Sequence, residues 1–328
     1  MSVFRKPHDF APPPLLYLLY AQPIKTAIRF LDFFFSLLRS NKPKPASPTL
    51  RVVCISDTHC LTTPYIPSGD ILIHAGDLAN QGTPEQIQKQ IDWLDGLHFE
   101  HKIAIAGNHD TFLDPRSRKT LSLDDQRGTL DWRSVRYLQH SSITLKCNSG
   151  RSVKVYGAPQ IPECGGPDNA FQYIRGSDAW SDTIPSDIDI LVTHTPPKHH
   201  LDLPSGLGCE YLLAEVWRVQ PTLHVFGHIH AGKSDLLGSL KGGKEVVRWD
   251  ERQRRIERAL SRPDGFFTAV LNPRCWIDLI KITFYGTTGA LWTRIWGGKT
   301  PGSTTMVLAS LMYTNTGELR NPAQVVEI

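Results

Sequence analysis

The 328-residue sequence holds six cysteines, at 54, 60, 147, 164, 209 and 275, yet it lacks any CxxC pair or even spacing. That absence excludes a disulfide framework. No N-x-[ST] acceptor site occurs either. Both absences lead us to expect reduced thiols and a cytoplasmic location. The formal net charge is only +4, and no basic stripe with interleaved aromatics is present, so no nucleic-acid polymer is expected as a partner. No internal repeat is visible. An uninterrupted apolar run of about 18 residues, the length of a spanning helix, is also missing.

The N-terminus comes nearest to such a run. LLYLLYAQPIKTAIRFLDFFFSLLRS (15–40) is broken by Pro23, Lys25, Arg29 and Asp32, and no tidy signal-peptide cleavage site follows it. Lys25, Arg29, Asp32, Ser36 and Arg39 are spaced four, three, four and three apart. Ile24, Ile28, Leu31, Phe34, Phe35 and Leu38 fall opposite them, which predicts an amphipathic helix. Two readings stand: a helix packed on the protein's own surface, or one lying in a membrane interface through residues 15–39. SNKPKPASP (40–48) then reads as a stiff polar linker, dividing the chain into a segment 1–48 and a domain 49–328.

From residue 50 onward, short apolar runs end repeatedly in polar clusters. LRVVCIS (50–56) leads into Asp57-Thr58-His59, DILIHAG (70–76) into Asp77, and KIAIAG (102–107) into Asn108-His109-Asp110. SVKVYGAP (152–159), IDILVTH (188–194) and LHVFGHIH (223–230) are further strands, the last two carrying His194, His228 and His230. PEQIQKQIDWLDGL (84–97) reads as a helix capped by Thr83, with Ile87, Ile91 and Leu94 at helical spacing. Strands alternating with helices predict an α/β fold, and at this stage a single doubly wound sheet with its ligands at the strand ends. The period-two spacing of His228 and His230 suggests side chains projecting the same way along a strand. The charged stretch 241–258 reads as a solvated, salt-bridged helical face. The Trp-rich stretch 275–298 reads as buried strands or a packed helix, with a membrane-facing hairpin or patch as the alternative.

Asp57, His59, Asp77, Asn108, His109, His194, His228 and His230 form one inventory of metal-competent groups. Carboxylates and imidazoles in that number suit two divalent cations about 3.5–4 Å apart, for which a shared carboxylate screens the repulsion. Mixed N and O donors point to Mn, Fe or Zn rather than Mg or Ca; the donors do not choose among the three, and Mn is our favoured expectation.

DTH (57–59), GD (76–77), GNHD (107–110), TH (193–194) and GHIH (227–230) resemble, in order and context, the five signature motifs of calcineurin-like metallophosphoesterases. The resemblance covers about 51–230. The stretch SDTHCLTTPYIPSGDILIHAGDLANQGTPEQI, the IAGNHDTFLD that follows and the closing STTMVLASLMYTNTGELRNPAQVVEI resemble the metallophosphoesterase-domain-containing subgroup, which is associated with cyclic nucleotide phosphodiesterase activity. It lapses over about 233–302, which reads as an insertion, and over the first 48 residues.

The resemblance replaces the single sheet with a four-layer α/β/β/α sandwich of two mixed sheets. It implies that Asp57, His59 and His230 hold one metal, that Asn108, His194 and His228 hold the other, and that Asp77 bridges them. His109 would face the phosphoester and Asp110 would help orient it. The implied reaction is hydrolysis of a small phosphodiester, most of all a cyclic nucleotide, by a metal-bridging hydroxide. A phosphomonoesterase acting on protein, lipid or sugar phosphate is the alternative, and a catalytically silent metal-bound scaffold is the reading from another class. His199 and His200 are candidates to line the pocket, Thr58 and Cys60 to shape its rim, and His74 to be structural.

Overall fold

The computed structural model of the protein describes residues 13–38, 45–203, 206–230, 243–263, 265–296, 302–314 and 316–328. In chain order its strands are β1 (Arg51–Ile55), β2 (Ile71–Ala75), β3 (His101–Ile105), β4 (Val135–Tyr137), β5 (Ser141–Lys146), β6 (Ser152–Ala158), β7 (Ile161–Pro162), β8 (Gln172–Tyr173), β9 (Ile190–Thr193), β10 (Leu223–Phe226), β11 (Lys244–Arg248), β12 (Ser303–Leu308) and β13 (Gln324–Glu327). The α-helices are α1 (Leu15–Ala21), α2 (Pro23–Leu38), α3 (Pro84–Asp95), α4 (Leu123–Gln126), α5 (Glu210–Val219), α6 (Glu251–Leu260), α7 (Phe266–Val270) and α8 (Pro273–Trp296).

Two mixed sheets carry the fold, one ordered β13-β1-β2-β3-β4 and the other β11-β12-β10-β9-β6-β5. The first is parallel except at β13, and the second is parallel through its four central strands. Strand alternation produces the layers. In β1, Val52 and Cys54 meet Val155, Val192 and Val225 of the second sheet, whereas Val53 and Ile55 meet Ile87, Ile91 and Leu94 of α3. On the far side, Leu191, Phe226 and Met306 pack against Leu212 and Val216 of α5. The order is therefore helix, sheet, sheet, helix, and the four-layer sandwich holds where the single doubly wound sheet does not. A sheet covered on both faces needs apolar side chains on both sides of each strand, so its strands read as continuous hydrophobic runs. That signature does not distinguish one covered sheet from two stacked ones.

Thr83 caps α3 by accepting from the Gln86 amide at 3.3 Å, with Pro84 in the first turn. The two closing strands do not pair with each other. Strand β12 joins the second sheet and β13 the first, so the tail fastens both.

A separate helical cluster joins the N-terminal segment to the stretch 256–282. Ile24 and Ile28 of α2 pack with Ile256, Ala259 and Leu260 of α6 and with Cys275 and Ile282 of α8. The N-terminal helix thus has one face on the protein's own surface. The stretch 241–258 departs from expectation: over its described part it is a strand followed by a helix, and Arg252 and Glu257 are buried. Helix α6 lies between the α/β core and α2, so Arg252 pairs inward with Asp32 at 3.2 Å and Glu257 with His200 at 3.1 Å. Glu251, Arg254 and Arg258 stay exposed, and Glu251 bridges Arg255 at 2.8 Å as expected of a salt-bridged face. The Trp-rich stretch is helical through Trp296.

Candidate metal centre

Parallel strands bring their carboxyl ends to one side, and the polar clusters stand just beyond β1, β2, β3, β9 and β10. The turns there are strained. Asp57 (φ 53°), His59 (φ 46°), Asp77 (φ 56°) and His228 (φ 67°) all sit in the left-handed region that side chains other than glycine rarely occupy. Such strain persists only where the surroundings enforce it, and it concentrates at functional sites. Two glycines let the loops close up. A Cβ on Gly76 would lie 2.6 Å from His194 Nδ1, and one on Gly107 would lie 2.3 Å from Asp77 Oδ1. Gly107 supplies room rather than an unusual backbone turn.

The side chains meet in two groups that share Asp77. In the first, His230 Nε2 is 3.2 Å from Asp57 Oδ1 and 3.2 Å from His59 Nε2, and His59 Nε2 is 3.7 Å from Asp77 Oδ2. In the second, His194 Nε2 is 3.3 Å from Asp77 Oδ2 and 3.1 Å from Asn108 Oδ1, while His228 Nδ1 is 3.0 Å from the same amide oxygen. Within each His/Asp set, Asp57, His59, Asp77 and His230 or Asp77, His194 and His228, the ligand atoms lie within 4.8 Å of one another. The sequence reading projected His228 and His230 together from a strand. The strand ends at Phe226, and the two imidazoles follow from a loop that sends one into each group.

The outer nitrogens show what these groups are built to hold. His194 Nδ1 donates to the Ala75 carbonyl (2.8 Å) and His230 Nδ1 to the Thr314 carbonyl (3.1 Å). With Nδ1 of each ring committed outward, Nε2 faces inward, where its lone pair can meet a cation. Asn108 Nδ2 donates to Asn169 Oδ1 at 2.9 Å, so its oxygen also points inward. Acceptors converging at about 3 Å repel one another unless a proton or cation lies between them.

Charge balance agrees. Burial opposes charge on His194, yet the neighbouring Asp77 raises it to about 9, and Asp57 raises His230 in the same way. Burial likewise opposes ionisation of Asp57, but His230 brings it down to about 2; Asp77, beside His194, falls well below the carboxylate range. Burial lowers His59, and takes His228 down to about 3, keeping both rings neutral. Two deep carboxylates that draw protons onto His194 and His230 ask for positive charge, so the residues present fit divalent cations.

His109 stands apart from both groups. Its ring lies edge-on to that of His59, centroids 4.9 Å apart, and its Nδ1 donates to the Asn80 carbonyl at 2.9 Å. The Asp110 carboxylate is fully buried and accepts from the backbone amides of Gly107 (2.7 Å), Ala79 (3.0 Å) and Leu78 (3.3 Å). Burial and the charge of Asp77 raise it to about 7, against those three amides. Asp110 therefore clamps two loops together, and the expected contact with the His109 ring is made by Asn80 instead.

His199 and His200 do not join the site. His199 Nε2 bonds Ser261 Oγ at 2.7 Å, and the two nitrogens of His200 meet Glu245 and Glu257. Thr58 bonds the structural His74 at 3.0 Å, and Cys60 Sγ accepts from the Asn80 amide at 3.3 Å. Sequence reasoning missed Asn80 and Asn169. Neither belongs to a recurring spacing, and the polar loop around Asn169 was the only trace.

A family model described as calcineurin-like phosphoesterase matches residues 50–232. The chain is 40% identical over 214 residues to metallophosphoesterase domain-containing protein 1 of Homo sapiens, covering 58% of this chain and 63% of that one. It is 44% identical over 238 residues to a probable rhamnogalacturonate lyase C of Emericella nidulans, covering 72% of this chain but 21% of that protein. It thus spans about a fifth of one curated relative and under two thirds of the other. Among solved structures, TT1561 of Thermus thermophilus aligns at 14% identity and a TM-score of 0.38, over 66% of this chain and 98% of that one. The match over 50–232 includes both ligand groups and His109, and this chain belongs to the calcineurin-like phosphoesterases, a family of metal-dependent phosphoester hydrolases.

Proposed function

We propose that the protein hydrolyses a small phosphodiester, with a cyclic nucleotide as the substrate its subgroup resemblance favours. The observation that carries this reading is the pair of inward-facing ligand groups sharing Asp77, with one histidine, His109, held beside them and outside both. Asp57, His59 and His230 would hold one divalent cation and Asn108, His194 and His228 the other, with Asp77 common to both. When bound, such ions polarise phosphoryl oxygens and make water nucleophilic at neutral pH.

The chain's own residues do the rest. The carbonyls of Ala75 and Thr314 fix the tautomers of His194 and His230, so Nε2 of each ring faces the position of a cation. The Asn80 carbonyl holds one proton of His109 at Nδ1, so the imidazolium form of the ring has its second proton on Nε2 and passes that one to the departing alkoxide. General acid assistance of this kind is worth about 10²- to 10⁴-fold. In a cyclic diester the leaving oxygen stays tethered to the ribose.

The test loads the full chain with manganese and compares bis(p-nitrophenyl) phosphate and 2′,3′- and 3′,5′-cyclic nucleotides with p-nitrophenyl phosphate. Faster turnover of the diesters is expected. Turnover of the monoester alone would make the protein a phosphomonoesterase, and loading without any turnover would leave a metal-bound scaffold.

A further inference from the structure

Among the described residues, twenty-three large apolar side chains stand exposed, and eighteen of them lie on α1, α2, α7 with its following residue Leu271, and α8. These helices form one cap. The Gly265 amide at the start of α7 donates to the Ala21 carbonyl at the end of α1 at 3.0 Å, and the Tyr20 ring stacks on Phe266 with centroids 6.2 Å apart. At the other end, Phe35 of α2 lies so close over α8 that a Cβ on Gly286 would be 2.4 Å from its ring. Phe34 stands beside Phe35 with its own ring uncovered.

Helix α8 makes the strongest demand. Its inner side buries Cys275 and Ile282, and its outer side presents Ile280, Phe284, Leu291 and Ile295. A helix that presents large apolar side chains on two sides needs cover for both. Among the described residues, only the side of α8 that carries Cys275 and Ile282 is covered. Exposed patches of this extent mark interaction surfaces.

Charge and aromatic placement indicate what covers the other half. Over residues 13–38 and 265–296, the helices that carry this face, there are five lysines and arginines against two acidic residues, whereas the whole chain has 36 against 32. Arg274, Lys281 and Arg294 lie exposed on α8 itself, beside Trp276 and Trp292. Indole rings with basic stems among aliphatics are the composition of a bilayer interface, where long cationic side chains reach the headgroups. No described helix is long and apolar enough to cross a membrane, which fits a helix lying in the interface plane.

We propose that this helical cap docks on the surface of an anionic lipid bilayer, with the outer side of α8 and the exposed edges of α1, α2 and α7 set into the headgroup boundary. Apolar burial holds it there, and the basic residues favour acidic headgroups.

The test mixes the full chain with phosphatidylcholine vesicles and with vesicles of phosphatidylcholine and phosphatidylserine at three to one. Sedimentation is expected to bring the protein down with both, at least about tenfold more tightly with the anionic vesicles, since several cations each add to binding. The variant Ile280→Glu/Phe284→Glu changes only exposed side chains. It should lose that binding by about tenfold or more while keeping its helix content and its metal content. Protein that stays in the supernatant with both vesicles, or a variant that binds as well as the parent, overturns the proposal. A lipid-free dimer that the variant dissociates, together with no vesicle binding, would assign the face to a second copy.

Discussion

Asn169 Oδ1 accepts from Asn108 Nδ2 at 2.9 Å, and this one hydrogen bond decides which end of the Asn108 amide faces His194 and His228. An amide is nearly symmetric in shape, so without a partner on one side it could present nitrogen as readily as oxygen. Only the oxygen can ligate a cation. Asn169→Ala should therefore weaken metal binding at the group containing Asn108 by about 10- to 100-fold, the usual cost of removing such support. Asn169→Asp keeps the acceptor and should restore most of the loss. Calorimetric titration of the two variants checks this; equal affinity in Asn169→Ala and the parent would show the amide held by other means.

His109→Gln should lower turnover of the preferred phosphoester by about 10²- to 10⁴-fold, with both metals still bound, because its ring belongs to neither ligand group. Metal analysis alongside kinetics separates the two effects. Loss of a metal ion in this variant would show His109 to be a ligand.

His200 gives the fold a pH dependence away from the site. Burial opposes its charge, but Glu245 and Glu257 on either side raise it to about 10, above the unfolded value of about 6.5. A group raised on folding contributes fully below its unfolded pKa and loses that contribution as pH rises through its folded pKa. Thermal stability should therefore fall between about pH 6.5 and 10, and His200→Gln should be less stable at pH 6.5 with a shallower decline above it. Melting curves across that window check the slope. Identical slopes in parent and variant would mean that His200 is not charged in the folded protein.

Much of the site could be read from the sequence, because each ligand stands just past an apolar run that fixes a strand end. Asp57, His59, Asp77, Asn108, His194, His228 and His230 all converge. Geometry beyond the strand ends could not be read. The GHIH spacing suggested two imidazoles on one strand, but the chain leaves β-structure at Phe226 and splits them between groups. Asn80 and Asn169 act through a carbonyl and an amide across the loops, contacts between residues distant in sequence that leave no periodic trace. The stretch 241–258 looked solvated because its charges are dense. In the fold two of those charges find partners in the interior, Asp32 for Arg252 and His200 for Glu257, from segments more than fifty residues away in the chain, while Glu251, Arg254 and Arg258 do stay exposed. The two stacked sheets were likewise invisible to periodicity, since a strand covered on both sides looks the same in either architecture.

Metal stoichiometry of the parent and of Asp77→Asn, measured by elemental analysis after loading with manganese and desalting, tests the shared site most directly. Two ions per chain are expected in the parent, with occupancy falling at both positions in the variant, because Asp77 lies within both ligand groups. A variant that keeps one position fully occupied would contradict the bridge.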